Sequence, residues 1–236
     1  MTRLYFQDNQ FFDFSKFLGS EIFAVITKSG MNPEQFEIVS KKGDNTTLSV
    51  QFGNYHKKLA FPQQVHSDCV KSINSSGIYK NCDGIITSSR ELVIRIKVAD
   101  CVPVFIHDPV RKINGLIHSG WRGTVKKIVL KAVQKFLAIG SDMKDLRIVL
   151  GPSIKMRNYI VQKDVASYFT EPNKTMIMNG WKVSLAGEIV EDLISNGFRK
   201  EQIFTSDICS FETKECHSFR RDQEKSGRMH AYMGFV

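Results

Sequence analysis

The sequence predicts an α/β protein, of the α+β type, in which a layered mixed β-sheet core is flanked by helices. Short valine- and isoleucine-rich runs, typical of buried strands, alternate with two amphipathic helical patterns. Several strands are joined by links such as residues 108–115, which are too short for a parallel crossover and therefore require antiparallel pairs. We expect one compact domain over residues 1–236, because no linker, repeat or low-complexity segment divides the chain.

The composition is that of an ordinary globular chain, with 42% hydrophobic and 24% charged residues. No apolar run approaches the length that crosses a membrane, and the first residues lack the apolar core of a signal peptide. We therefore expect a cytoplasmic protein without a membrane partner. The net charge of +9 is spread along the chain in runs no longer than two, which favours small anionic substrates or solubility over nucleic-acid binding.

The first sixty residues carry the weakest signals. One strand is expected to end at Lys28, and another should follow a turn at Gly43-Asp44-Asn45. His66 then ends a short segment, and Asp83 lies in a Cys-Asp-Gly turn before an apolar strand.

The stretch 95–123 concentrates the reactive residues. Its first apolar run is predicted to be one buried strand that carries Asp100 and Cys101 at its centre. A second strand, after a hairpin-like turn, delivers His118 into a Ser-Gly-Trp-Arg-Gly loop. Thr124 is the expected N-cap of the amphipathic helix that follows.

Arg122 stands between Gly120 and Gly123 at the start of this helix. Glycine costs stability unless tight geometry requires it, and the free amides of a helix start attract anions. We predict that Arg122 binds an anion, while a plain surface arginine stays the alternative.

Farther along, the pattern predicts a strand that stops at Gly151-Pro152 and a helix capped by Ser184 and closed by Asn196-Gly197. Another strand follows at 202–211. A loop containing Arg220 then leads to a last short strand. Arg220 belongs either to an anion patch or to a solvated charged face.

Three side chains suggest a metal site. His66, Cys101 and His118 offer two imidazoles and a thiolate, a set that suits Zn²⁺ and leaves a position open for water or substrate. They form no compact motif, and chemistry alone slightly favours an inert buried cysteine with two hydrogen-bonded histidines. His107 and His217 are competing ligands.

The five cysteines support reduced thiols, because their number is odd and no paired spacing is present. Asp83 and Asp100 are predicted either to orient the histidines or to form turns.

Several motifs resemble, in order, those of the laccase-domain family, first called multicopper polyphenol oxidases and now understood as purine nucleoside phosphorylases. They are QVHSD at 64–68, CDGIITS at 82–88, VADCVPVFIHDP at 98–109, GLIHSGWRGTVKKIV at 115–129, LGPSI at 150–154 and HSFRRDQEKSGRMHAYMGF at 217–235. The resemblance covers the chain from about residue 60 onward.

The resemblance implies a metal held by His66, Cys101 and His118, with Zn²⁺ expected and copper as the alternative. It implies purine nucleoside and phosphate as partners: phosphorolysis of adenosine, inosine, guanosine and methylthioadenosine, together with adenosine deamination. Cys101 and His118 would lie at the catalytic centre. Deamination also needs a general acid or base close by, and Asp83 and Asp100 are the candidates for it.

Phosphate would be bound by Lys28, Arg122 and Arg220. Lys28 stands where the family has arginine in a Thr-Arg-x-Gly-Gly loop, so the bidentate fork for phosphate is lost there. After LGPSI the chain keeps Tyr159 and Val161 of the family pattern but not its cysteines and glutamate.

We therefore expect a zinc-dependent purine nucleoside phosphorylase with adenosine deaminase activity. The alternatives are a copper-dependent polyphenol oxidase, a cysteine hydrolase that uses Cys101 with His118 as base, and a binding protein with a structural metal.

Overall fold

The computed structural model describes residues 10–42, 45–52 and 55–236, so Gly43 and Asp44 of the predicted turn lie outside it. The strands are β1 (Phe11–Asp13), β2 (Ile22–Thr27), β3 (Glu37–Lys42), β4 (Asn45–Phe52), β5 (Tyr55–Pro62), β6 (Val70–Ser72), β7 (Gly77–Tyr79), β8 (Gly84–Thr87), β9 (Leu92–Val98), β10 (Val102–Asp108), β11 (Ile113–Ser119), β12 (Arg147–Leu150), β13 (Ile160–Val161), β14 (Lys174–Ile177), β15 (Gly180–Val183), β16 (Ile203–Thr205) and β17 (Met229–Phe235).

The helices are α1 (Ser15–Leu18), α2 (Trp121–Val125), α3 (Ile128–Ala138), α4 (Lys163–Ala166), α5 (Leu185–Ser195) and α6 (Phe219–Asp222). Short 3₁₀ turns occupy Pro33–Phe36, Met143–Asp145, Met156–Asn158, Lys200–Gln202 and Gln223–Lys225. None of the described helices is long and apolar enough to cross a membrane.

The strands form three sheets. Sheet A has the order β1-β2-β17-β9-β5-β4-β3, with β7 added beside β5. Sheet B has the order β16-β12-β10-β11-β8-β6, and the small sheet C has the order β13-β15-β14. Parallel pairs such as β5 with β9 and β12 with β16 lie among antiparallel ones, so the predicted mixed-sheet α/β architecture is confirmed.

Sheet B is buried on both faces, as alternation along β10 shows. Val104 and Ile106 point into a cluster shared with α3 and α5, whereas Phe105 points into a second cluster shared with sheet A. The layers are therefore helices, sheet B and sheet A, and the continuous apolar run of β10 follows from its two buried faces.

Sheet A curls over on itself. The rings of Phe23 on β2 and Phe52 on β4 lie 5.9 Å apart between centroids, although four strand spacings, about 19 Å in a flat sheet, separate their strands. Glu37 of β3 closes the mouth of this curl. It accepts hydrogen bonds from Arg95 of β9 at 3.1 Å and from the Tyr232 hydroxyl of β17 at 2.7 Å.

The prediction of one buried strand through Asp100 and Cys101 is wrong. The run divides into β9 of sheet A and β10 of sheet B, and the chain crosses between the two sheets at residues 99–101. Asp100 has a φ of +83°, a left-handed conformation that no strand interior accommodates. The reactive pair thus lies at a crossing between layers.

The predicted helix start at Thr124 is also wrong. Helix α2 begins at Trp121 after Gly120, and Thr124 lies inside it with its hydroxyl 2.8 Å from that of Ser119. Lys127 adopts a φ of +61° and separates α2 from α3. Helix α5 agrees with the prediction, since the Ser184 hydroxyl accepts a hydrogen bond from the Gly187 amide at 2.9 Å.

Candidate metal centre

His66, Cys101 and His118 come together from three segments. His66 lies in the loop between β5 and β6, Cys101 ends the crossing before β10, and His118 lies on β11. One ligand atom from each lies within 4.8 Å of the other two. The rings of His66 and His118 meet nearly edge to face, 4.9 Å apart between centroids. We call these three residues the trio.

The pairing of β10 with β11 explains part of this convergence. Pro103 pairs with His118 and Val102 pairs with Ser119, so Cys101 arrives opposite Gly120. A Cβ atom on Gly120 would lie 3.0 Å from the sulfur of Cys101 and 3.0 Å from Cδ2 of His66. Gly120 therefore lets the thiol and the imidazole approach the start of α2.

Asp83 fixes the loop that carries His66. Its buried carboxylate accepts backbone hydrogen bonds from Val65 at 3.2 Å, His66 at 3.0 Å and Ser67 at 2.7 Å, and a fourth from the Ser67 hydroxyl at 2.7 Å. These bonds hold His66 in its left-handed conformation, with a φ of +57°. The loop is thus shaped around one carboxylate.

Asp83 also binds His118, through Oδ1 and Nδ1 at 2.8 Å. Burial raises the pKa of this carboxyl, but hydrogen bonds from His118 and Ser67 prevail and lower it to about 2. An ionised Asp83 can only accept, so Nδ1 of His118 carries the proton and Nε2 is left free for a ligand bond.

Cys101 and His118 shift each other's protonation. Burial raises the pKa of the Cys101 thiol, but the imidazoles of His118 and His66 outweigh it, so the pKa falls below its ordinary value. Burial lowers the pKa of His118, but the Cys101 thiolate and Asp83 outweigh it, so this pKa rises. Before a metal binds, the arrangement favours a thiolate beside an imidazolium, and a bound metal would take the place of the Nε2 proton of His118.

This donor set fits a zinc ion. Two imidazole nitrogens and a thiolate are ligands that zinc accepts, and Asp83 supplies the carboxylate partner usual for a zinc-bound histidine. His66 is exposed while His118 is buried, so the trio is reached from one side. Three protein ligands leave one position of a tetrahedral site for water or substrate.

Asp100, the neighbour of Cys101, has other partners. Its Oδ1 accepts a hydrogen bond from the Ser210 hydroxyl at 2.6 Å, and its Oδ2 accepts one from the backbone amide of Arg220 at 2.6 Å. Asp83 thus hydrogen-bonds to a side chain of the trio, that of His118. The carboxylate of Asp100 hydrogen-bonds instead to Ser210 and Arg220.

Two of the predicted phosphate residues lie near the trio. Arg122 follows Gly120, which abuts Cys101 and His66, and the backbone amide of Arg220 is bonded to Asp100, the neighbour of Cys101. Burial raises the pKa of Tyr159 to about 12; the charge of Cys101 adds to this rise, and the charges of Arg220 and Arg122 oppose it. The Arg220 guanidinium lies 5.1 Å from the ring centroid of Tyr159. Arg122 is exposed, and its guanidinium carbon lies 4.3 Å from the centroid of the Trp121 ring.

Lys28 has different surroundings. Its ammonium lies 5.2 Å from the centroid of the Phe12 ring, and the next residue, Ser29, bonds to the backbone of Lys214 and Glu215. These contacts tie the Lys28 loop to the segment before α6.

The competing histidines do not join the trio. Nδ1 of His107 lies 2.8 Å from Oδ1 of Asn114, inside the core. His217 packs against Gly227, where a Cβ would lie 2.5 Å from its ring. Among the residues that the structure describes, the trio is the one group of three or more histidine, cysteine or acidic side chains close enough to share an ion. All five cysteines are free.

The sequence did not reveal the roles of Ser67 and Ser210. Both use their hydroxyls to hold an aspartate beside the trio. The position of Ser67 next to His66 was an available signal, whereas Ser210 lies 110 residues from Asp100 and offered none.

Comparison with known proteins gives one family. The sequence profile described as "Multi-copper polyphenol oxidoreductase laccase" matches residues 37–236. A purine nucleoside phosphorylase of Borreliella burgdorferi is 33% identical over 178 residues, which cover 71% of this chain and 76% of that protein. One of Clostridium acetobutylicum is 27% identical over 220 residues, covering 89% and 91%.

A solved structure has the same fold. The crystal structure of YlmD from Geobacillus stearothermophilus superposes with a TM-score of 0.76 at 21% identity and covers 92% of each chain. The profile match over most of the chain, the relative at 33% identity and this shared fold agree with each other. The protein is therefore a member of the multi-copper polyphenol oxidoreductase laccase family.

Proposed function

We propose that this protein is a zinc-dependent purine nucleoside phosphorylase with adenosine deaminase activity, acting on adenosine, inosine, guanosine and methylthioadenosine. The observation that carries the proposal is the convergence of the trio within 4.8 Å in a chain whose relatives are named purine nucleoside phosphorylases. The donor set supports zinc, and the sequence resemblance supports the deaminase activity.

The residues of this chain prepare the centre for a nucleophilic water. A zinc ion held by His66, Cys101 and His118 would supply a water activated near neutral pH, the nucleophile that deamination needs at C6 of adenine. Asp83 keeps the Nδ1 proton on His118 and shapes the His66 loop. Its five accepted hydrogen bonds and low pKa support an orienting role over proton transfer.

Phosphorolysis needs an anion held beside the nucleoside. Arg122 lies two residues after Gly120, which abuts Cys101 and His66, and Arg220 is bonded through its amide to Asp100, so two positive charges near the trio would suit a phosphate dianion. Lys28 is a third phosphate residue in this proposal, although its point charge lacks the fork of an arginine. Arg122 has the exposed guanidinium, so we propose it as the principal contact.

One alternative enzyme has an observation in its favour. Cys101 and His118 shift each other toward a thiolate and an imidazolium, the state of a cysteine nucleophile with its base. A cysteine hydrolase is therefore the second candidate. A copper polyphenol oxidase has less support, since reduction of O₂ to water takes four electrons and the described residues offer a single three-ligand group.

The direct test is incubation with inosine or adenosine, with and without phosphate, followed by chromatography of the products. We expect phosphate-dependent release of hypoxanthine from inosine and phosphate-independent conversion of adenosine to inosine. The Cys101→Ala variant should lose both reactions, and the control Cys69→Ala, a thiol outside the trio, should keep them. Base release that is indifferent to phosphate would refute phosphorolysis.

A further inference from the structure

We infer that Asp100 is a positioning residue that joins the Cys101 end of the trio to α6, the helix carrying Arg220. Asp100 stands beside the thiol in sequence, and its carboxylate reaches a segment 120 residues away. The inference rests on the proposed function for its kinetic test, whereas its metal-binding test stands without that function.

The conformation of Asp100 is fixed at three points. Ser210 and the Arg220 amide occupy one carboxylate oxygen each, and the Asp100 carbonyl accepts a hydrogen bond from the Ile154 amide at 3.0 Å. The residue has a φ of +83°, which a non-glycine residue adopts only when its surroundings impose it. These contacts set the direction in which the chain delivers Cys101.

The same carboxylate sets the start of α6. The Ser218 hydroxyl caps this helix by accepting from the Arg221 amide at 3.2 Å, and Asp100 takes the amide of Arg220 in its first turn. The Arg220 side chain is then held by a 2.7 Å bond to the Ile160 carbonyl and by the ring of Tyr159. Backbone and side chain together determine where this guanidinium lies.

Ser210 is itself rigidly held. The guanidinium of Arg221 donates to the carbonyls of Ser210 and Phe211 at 3.1 Å each, of Thr213 at 3.3 Å and of Cys216 at 2.8 Å. One arginine thus organises the segment from Ser210 to Cys216. Because these bonds fix the backbone of Ser210, its hydroxyl is held in position to donate to Asp100.

This arrangement opposes the acid–base role for which Asp100 was one of two candidates in the sequence analysis. Both carboxylate oxygens already accept short hydrogen bonds, so proton transfer to a substrate would require one of them to break. A positioning role for Asp100, as a tether, has a different requirement. It needs two groups that can hydrogen-bond to Ser210 and to the Arg220 amide, and it needs no titratable proton. The two roles therefore predict opposite results for asparagine at this position.

The test uses three variants of the full chain. Asp100→Gly removes the carboxylate while relieving the left-handed backbone, so it isolates the loss of the tether from strain. Asp100→Asn keeps both bonds, because its oxygen accepts from the Arg220 amide and its NH₂ donates to the Ser210 hydroxyl. Ser210→Ala removes one of the two bonds and keeps the carboxylate. Zinc affinity, phosphate KM and kcat are measured for each.

For Asp100→Gly we expect zinc affinity to fall about 10- to 100-fold, as for loss of other groups that orient a ligand, and phosphate KM to rise about 10-fold or more. For Asp100→Asn, zinc affinity, phosphate KM and kcat should each lie within about threefold of the wild-type value. The values for Ser210→Ala should lie between those of Asp100→Gly and Asp100→Asn.

Two outcomes would overturn the inference. Asp100→Gly with wild-type zinc affinity and phosphate KM would show that nothing is tethered. Asp100→Asn with normal zinc affinity and phosphate KM but a kcat as low as that of Asp100→Gly would return Asp100 to acid–base catalysis. If the wild type lacks phosphorolysis, the proposed function fails, and zinc affinity across the three variants still decides the role of Asp100.

Discussion

The Oδ1 atom of Asp83 lies 2.8 Å from Nδ1 of His118 and is also the acceptor for the His66 amide at 3.0 Å. One oxygen thus orients two of the three trio residues. Asp83→Asn replaces one of the two carboxylate oxygens by an NH₂ group. Both oxygens accept hydrogen bonds, so the NH₂ group would face other donors, and we expect zinc affinity to fall about 10- to 100-fold. Competition with a chromogenic chelator measures it. The control Asp68→Asn changes an aspartate that pairs with Lys131 and should leave the affinity unchanged.

Gly120→Ala should damage the trio directly. The new Cβ would lie 3.0 Å from both the Cys101 sulfur and the His66 ring, and displacing them is expected to cost about 1–3 kcal/mol of stability. We expect weaker zinc binding and a lower urea midpoint. An alanine variant with wild-type zinc affinity would contradict the close approach seen here.

Arg122→Ala should separate the two reactions. A charge-assisted hydrogen bond is worth about 1.5–3 kcal/mol, so phosphate KM should rise about 10- to 150-fold, while deamination, which uses no phosphate, stays near the wild-type rate. Lys126→Ala, an exposed cation just after α2, is the matched control and should change neither. Equal losses in both reactions would assign Arg122 to the nucleoside or to the fold.

The purified protein should carry about one zinc per chain, and Cys101→Ser or His118→Ala should remove it together with activity. In metal-free protein the lowered thiol pKa keeps Cys101 ionised below the ordinary thiol range, so iodoacetamide labelling should persist at neutral pH. Bound zinc should suppress this labelling. Fast labelling of zinc-loaded protein with stoichiometric inactivation and zinc retained would favour the cysteine hydrolase.

Glu37 should make stability depend on pH. Burial raises its pKa, but hydrogen bonds from His230 and Tyr232 and the charge of Arg95 lower it to about 2. A carboxyl whose pKa is depressed in the folded state stabilises the fold fully at pH values above its unfolded-state pKa, near 4. It loses this contribution as the pH falls toward the folded-state pKa of about 2. Glu37→Gln should cost on the order of 3 kcal/mol at pH 7, and its deficit in urea midpoint should shrink below pH 4. A deficit that is constant with pH would contradict this assignment.

Local patterns predicted β2, β4, β8, β11, β12 and α5, because apolar runs and caps are short-range signals. The Ser184 cap and the close at Asn196-Gly197 needed no tertiary contact to be recognised. The break at Lys127 was missed because nothing local marks a lysine for a left-handed φ. The structure instead shows its ammonium bonded to Asp192 at 2.7 Å, a contact made only in the folded chain.

The site was only partly accessible to such reasoning. The resemblance grouped the trio, whereas spacing alone left it open, since its members come from three segments. Asp100 and Cys101 were misplaced inside a strand because both β9 and β10 are apolar and the crossing between them carries no glycine or proline. Hydrogen bonds to Ser210 and Arg220, more than 100 residues away, accompany that crossing.

The position of β17 imposes an order on assembly. This strand lies between β2 and β9 in sheet A and pairs antiparallel with both, although both are made earlier along the chain. During synthesis, β2 and β9 therefore wait with open edges, which are prone to pairing with other chains. His230 and Tyr232 also lie on β17, so the hydrogen bonds of Glu37 with these two residues form only after this strand is made. Sheet A can therefore be completed only after β17 has left the ribosome.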